Sequence, residues 1–225
     1  MLWLAMACRI FGSLLVVLLA AGPAAAQPSA TDLAASLQRK YATIRDFSAD
    51  FVHTYTGGVL KKRLTEKGRV YVKKPGRMRW EYTSPERKLF VSDGTKVYSY
   101  IPADKQVIVG TVPEDTATTP ALFLAGKGDL TRDFIPSIVE PAAGTAPGTL
   151  ALKLVPKAPQ PDYDWLVLLI EPGSLSLRGL LTADSQGGTS TITFSGLKEN
   201  VGLADKEFEF RMPRGVDIIT DSGGR

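Results

Sequence analysis

Residues 68–94, GRVYVKKPGRMRWEYTSPERKLFVSDG, leave the backbone little choice. Within Arg77-Met78-Arg79-Trp80-Glu81-Tyr82 apolar and charged residues alternate without error. Successive side chains of a strand point to opposite faces, so Met78, Trp80 and Tyr82 share one face while Arg77, Arg79 and Glu81 share the other. The stretch reads as two strands joined at Lys74-Pro75-Gly76, then a third strand running into a tight Asp93-Gly94 turn. One face is large and aromatic, the other charged and wet. The functional question is what the aromatic face covers.

The same period of two begins at Phe47, where Phe47, Ala49, Phe51, His53 and Tyr55 alternate with Ser48, Asp50, Val52 and Thr54. Gly57-Gly58 then turns the chain into a short basic strand over 60–65. Further strands are expected at 69–73, 77–83, 88–92, 96–101 and 106–111. Strands this short, joined by turns this tight, run up and down as an antiparallel meander. Beyond Pro113, residues 118–126 predict a short helix with Thr119 as cap, Pro120 as the first helical residue and Gly126 as the stop. Its Ala-Leu-Phe-Leu-Ala body is apolar all round, so it must be buried or face something greasy.

Strands resume at 131–139, 150–156, 163–171, 176–183 and 189–197, with a closing strand at 207–212. The run Trp165-Leu166-Val167-Leu168-Leu169-Ile170 does not alternate and predicts a strand either covered on both faces, one of them by a lid segment, or offering an apolar patch to a partner. The one clear amphipathic helix spans 32–44, with Leu33, Leu37, Tyr41 and Ile44 at helical spacing and Ser29 or Thr31 as its cap. No internal repeat and no long linker divides the chain. The expectation is one mainly β domain of about eleven strands over 27–225.

The first 26 residues are expected to be removed. Arg9 supplies a positive start, residues 10–21 an apolar run, and Ala24-Ala25-Ala26 a small-residue cleavage site before Gln27. That is the pattern of a secretory signal peptide, too short for a membrane span. The chain's one cysteine, Cys8, lies in this leader, which excludes a disulfide scaffold or thiol chemistry from the exported product. A formal net charge of +4 fits an anionic surface or acidic partner, and export disfavours nucleic acid.

Catalysis finds no support. The one histidine, His53, shares a strand face with Phe51 and Tyr55 and reads as a core or rim residue. There is no Gly-x-Ser-x-Gly elbow, no histidine spacing suited to zinc and no glycine-rich strand-to-helix turn for a nucleotide. A β-rich chain with aromatic strand faces and no catalytic set is better suited to holding an apolar molecule. A greasy cavity and a packed core show the same alternation, so the residues alone leave both open.

Taken in order, several stretches resemble the LolA-type periplasmic lipoprotein carriers. They are Phe47-Ser48-Ala49-Asp50-Phe51, then Gly68 through Tyr82, then Val91-Ser92-Asp93-Gly94 with Val97, Tyr100 and Pro102. Thr119-Pro120 with Leu124, and the late Phe208, Phe210, Pro213, Gly215 and Val216, continue the match, preceded by the N-terminal helix. The resemblance implies an incomplete antiparallel β-barrel closed by a lid of short α-helices, working as a monomer in the periplasm. Acyl chains of a lipoprotein would lie between barrel and lid, taken from an ATP-driven release complex of the inner membrane and passed to an acceptor at the outer membrane. No cofactor, metal or bond chemistry is implied.

On that resemblance Met78, Trp80, Tyr82, Phe51 and Tyr55 line the concave face, and Leu33, Leu37, Tyr41, Leu122 and Phe123 form the underside of the lid. The family commonly places an arginine before the proline matched by Pro75, where it hydrogen-bonds to the lid. Here that residue is Lys74, which keeps the charge without the planar fork and implies a looser latch. Two other exported readings share the features above: a binder of another amphiphile on the same sheet, acting as sensor or shuttle, and a hydrolase dependent on His53. An outer-membrane acceptor of the same fold would need an acylated cysteine where Gln27 stands.

Overall fold

The long helix starts where a serine can stop its first turn from fraying. In the computed structural model, which describes residues 28–59, 61–112, 124–126, 128–160 and 163–220, Ser29 caps α1 (Ala30–Thr43). The Ser29 hydroxyl accepts from the Asp32 N–H at 3.1 Å, satisfying one of the free donors of the first turn. Leu33, Ala34, Leu37 and Tyr41 form its buried stripe. The expected leader and its cleavage site, Leu60, and residues 113–123 with Leu122 and Phe123 lie outside the described residues.

Twelve strands follow among the described residues, all in one sheet. They are β1 (Asp46–Thr56), β2 (Arg63–Lys73), β3 (Arg77–Ser84), β4 (Lys88–Asp93), β5 (Lys96–Ile101) and β6 (Gln106–Thr111). After a single helical turn, α2 (Leu130–Asp133), come β7 (Phe134–Val139), β8 (Leu150–Pro156), β9 (Trp165–Ile170), β10 (Leu177–Ala183), β11 (Thr189–Glu199) and β12 (Asp217–Thr220). The order across the sheet is β12-β6-β5-β4-β3-β2-β1-β11-β10-β9-β8-β7, with β12 and β7 as unjoined edges. Two meanders are thus stitched together by β1 pairing with β11, and the barrel stays open. None of the described helices is long and apolar enough to cross a membrane.

Three expectations need correcting. The strands predicted at 60–65 and 69–73 are one continuous strand, β2. Gly68 lies inside this strand and makes room: a Cβ there would sit 2.0 Å from the Glu81 carbonyl oxygen and 2.7 Å from the Phe51 ring. Residues 131–133 belong to α2, because the Asp129 carboxylate accepts from the Thr131 and Arg132 N–H groups at 2.8 Å each. No strand forms at 207–212; a 3₁₀ turn (Asp205–Phe208) opens a strap across the outer face. Phe208 is buried there and Phe210 stacks on Tyr98 with centroids 4.8 Å apart. The strap is pinned by Lys73 and Arg77 to Asp205 and leads into β12, which pairs parallel with β6.

The main core lies between α1 and the inner face. It joins Leu33, Leu37 and Tyr41 to Phe47 and Phe51 of β1, Val70 and Val72 of β2, Met78 and Trp80 of β3, and Leu152, Leu154, Leu166 and Leu168 of the opposite arm. In a flat sheet β3 and β8 would stand roughly 29 Å apart, six spacings of about 4.8 Å. One helix serving both arms therefore requires the sheet to curl round it. In β9, Leu166, Leu168 and Ile170 face this core, while Val167 and Leu169 form a second cluster with Ala151 on the other face. Both faces are covered as expected, but α1 lies on the first only. The second borders a groove of about 580 Å³ beside the loop at 142–146.

Candidate functional site

The concave face carries a floor of interlocked aromatic rings. Alternation places Met78, Trp80 and Tyr82 of β3 on it, and the β2–β3 register sets Met78 opposite Val72 and Trp80 opposite Val70. Phe51 meets both Trp80 and Tyr82 edge to face, at 5.1 and 4.9 Å between centroids. Tyr82 continues to Phe90 at 5.5 Å, and Trp80 to Phe194 at 6.4 Å. Such pairs favour tilted geometry because the ring edge is positive and the ring face negative. Burial pushes the Tyr82 phenol well above its ordinary range, with the Glu66 carboxylate adding to it.

Helix α1 shares one buried cluster with this floor. Leu37 is fully buried, and Leu33, Tyr41, Met78, Trp80 and Phe51 are each less than a tenth exposed. Tyr55 stands apart: it is 40% exposed at the far end of β1, beside a pocket of about 450 Å³ that includes Val59 and Leu64.

The β2–β3 turn ties the end of α1 to the sheet. The Lys74 ammonium donates to the Tyr41 carbonyl at the end of α1 and lies 5.5 Å from the centre of the Tyr41 ring. Its backbone N–H donates to the Arg45 carbonyl at 2.8 Å, and the next N–H in the chain, that of Gly76, donates to the Ala125 carbonyl at 3.0 Å. A Cβ on Gly126, whose φ is +82°, would sit 2.9 Å from the Lys74 stem, so glycine is needed on both counts. One turn therefore holds α1 and the segment 124–126 together. Burial lowers the Lys74 pKa below the ordinary lysine value, since the ammonium has given up water for few partners. At the other arm Lys40 of α1 bonds the Ser174 carbonyl and the Glu199 carboxylate at 2.9 and 3.0 Å.

Beyond Tyr82 the floor turns polar. Glu66, 6% exposed, holds Lys88 at 2.6 Å and stands 3.3 Å from Nδ1 of His53, whose Nε2 lies 2.8 Å from the Ser190 hydroxyl. Burial keeps the imidazole below its ordinary value, outweighing the pull of Glu66, and Lys88 lowers it further. Ser190, His53 and Glu66 have the connectivity of a hydrolytic triad. However, β11 is paired on both edges, by β1 and β10, so the backbone around Ser190 is committed to its ladders. An oxyanion hole needs free N–H groups aimed at the developing charge. Among the described residues no group of three or more His, Cys, Asp or Glu side chains is placed to hold a metal.

Sequence reasoning missed Glu66, Lys88 and Ser190. A signal existed for Glu66, which follows Val72, Val70 and Gly68 in steps of two onto the apolar face. Ser190 reaches His53 only through a pairing of strands far apart in the chain.

Comparison with known proteins agrees with this architecture. The family described as "Outer membrane lipoprotein carrier protein LolA" matches residues 42–211. An outer-membrane lipoprotein carrier protein of Chromohalobacter salexigens is 33% identical over 182 residues, 80% of this chain and 83% of its own. That of Methylococcus capsulatus is 32% identical over 177 residues, covering 79% and 82%. Among solved structures, an uncharacterized conserved protein from Thermus thermophilus shares the fold at a TM-score of 0.51 and 13% identity, over 83% of this chain and 96% of that one.

Proposed function

The chain belongs to the LolA family of outer-membrane lipoprotein carriers, and from that premise we propose that the floor beneath α1 is where its cargo's acyl chains are held. The protein acts as a periplasmic lipoprotein carrier. The observation that carries the assignment of the floor is an aromatic face that shares one buried cluster with α1, with the lysine-bearing β2–β3 turn fastening that helix on this arm. Phe51, Met78, Trp80 and Tyr82 receive the chains. Leu33, Leu37 and Tyr41 are the surface that gives way. Tyr55 guides the exit at the rim.

Magnitudes decide whether cargo can displace the helix. Exposing three large side chains of α1 costs about 1.5–3 kcal/mol each, or roughly 5–9 kcal/mol in all. Burying an acyl chain of about fifteen methylenes recovers on the order of 12 kcal/mol at about 0.8 kcal/mol per methylene. A cargo with two chains wins clearly, whereas a short amphiphile does not. The difference also keeps binding reversible, because part of the gain is spent in opening the lid.

The carrier collects cargo from an ATP-driven release complex in the inner membrane and yields it to an acceptor at the outer membrane. It travels as a monomer after cleavage behind Ala26, makes or breaks no bond, and uses no cofactor. Native mass spectrometry of protein recovered from its periplasm tests the reading. Co-purifying lipoprotein, or mass added in acylated units, is expected; a chain that is always bare, even when lipoprotein release is blocked downstream, contradicts it.

A further inference from the structure

The inner face changes character along β1. From Phe47 to Phe51 it is apolar and part of the buried core it shares with α1, yet at the next inward position His53 faces Glu66 across the β1–β2 pair. Lys88 stands opposite Tyr82 across β3 and β4, and Ser190 closes the group from β11. One position further, Tyr55 and Leu64 pair and are 40% and 44% exposed. The charges therefore sit where the covered floor ends and the open rim begins. A buried ion pair adds little stability over apolar residues of the same shape, so stability alone does not account for Glu66 and Lys88 on this face. The buried Nδ1 of His53 also lacks a hydrogen bond of good geometry.

We propose that Lys88, His53 and Ser190, held in place by Glu66, form a polar subsite for the ester and amide carbonyl groups that join acyl chains to the head of the cargo. The inference rests on the carrier reading and specifies how cargo is oriented in it. Phe47 to His53 spans roughly 20 Å of strand at about 3.3 Å per residue, close to the length of an extended palmitoyl chain. A chain lying on the floor with its methyl end towards Phe47 brings its carbonyl to the cluster. There Lys88 offers donors beyond the one given to Glu66, and the Ser190 hydroxyl can turn. A carbonyl drawn into an apolar hollow without such donors would lose its bonds to water unreplaced. The peptide then leaves past Tyr55 and Leu64.

The same atoms could be read as a nucleophile and its base. The doubly paired backbone of β11 and the diversion of Glu66 to Lys88 favour binding.

The test compares two probes: a fluorescent dipalmitoyl-glyceryl cysteinyl peptide, and a fluorescent hydrocarbon of the same chain length without carbonyls. Each is titrated into the wild type, Ser190→Ala, and the double variant Glu66→Gln/Lys88→Met, which removes the pair without stranding a charge. Melting curves confirm that the variants fold. The lipopeptide is expected to bind about tenfold more weakly to the double variant, the worth of one or two hydrogen bonds. Ser190→Ala should show a smaller loss, and the hydrocarbon none in either variant. Equal loss for both probes, or no loss for either, overturns the subsite. Palmitate released by the wild type but not by Ser190→Ala overturns it in favour of a nucleophile. A wild type that binds neither probe fails the carrier reading itself, an outcome distinct from the others.

Discussion

Replacing Lys74 with methionine should loosen α1 without unfolding the sheet. The substitution keeps the aliphatic stem that fills the space left by Gly126 and deletes only the ammonium. Lost with it are a charge-assisted hydrogen bond to the Tyr41 carbonyl, worth about 1.5–3 kcal/mol, and a contact with the Tyr41 ring worth about 0.5–1 kcal/mol. Against this stands relief from burying a charge, which already lowers the Lys74 pKa. The net is about 1.5 kcal/mol, a little over tenfold in the opening equilibrium. Hydrogen exchange followed by mass spectrometry reads it directly: amides in α1 should exchange about tenfold faster, while those of β1 to β3 keep their wild-type protection. Lys74→Arg should move exchange the other way, because the planar fork can reach a second carbonyl. Unchanged α1 exchange in Lys74→Met, or an equal rise throughout β1 to β3, refutes the idea that this turn holds a separately opening lid.

Three further outcomes follow from the floor. Gly68→Ala places a methyl group 2.0 Å from the Glu81 carbonyl oxygen and against the Phe51 ring; a loss of about 1–3 kcal/mol is expected from overpacking, read from the urea midpoint. Trp80→Ala should cost the empty protein about 3–5 kcal/mol, and less with lipopeptide bound, since hydrocarbon refills part of the space; an equal loss in both forms places the cargo elsewhere. For His53, whose value burial holds below the ordinary 6.5, the unfolded chain takes up a proton that the native chain refuses. Its contribution is whole above about pH 6.5 and declines as the pH falls from there towards the lower native value. His53→Gln should flatten that part of the urea stability profile.

What can be read from the chain divides along physical lines. The alternation of Met78, Trp80 and Tyr82 sets their face by backbone geometry alone, and the tight turn at Gly76 sets the pairing with β2. Floor and meander are accordingly legible, as is α1 from the spacing of Leu33, Leu37 and Tyr41. The strap at 205–212 misleads because Phe208 and Phe210 alternate like a strand although they pair with no strand; they cover the outer face instead. The continuity of β2 through Gly68 is not legible, since local propensity cannot see the Phe51 ring that needs its space. The polar cluster depends on β1 meeting β11, a contact no local pattern records.

Photo-crosslinking tests the central claim most directly: a lipopeptide carrying a diazirine along its acyl chain is bound, irradiated, and its adducts mapped by peptide mass spectrometry. The account predicts labels on Phe51, Met78, Trp80 and the underside of α1. Labels confined to the opposite face, in the groove beside Thr54, Leu169 and Leu181, would contradict it.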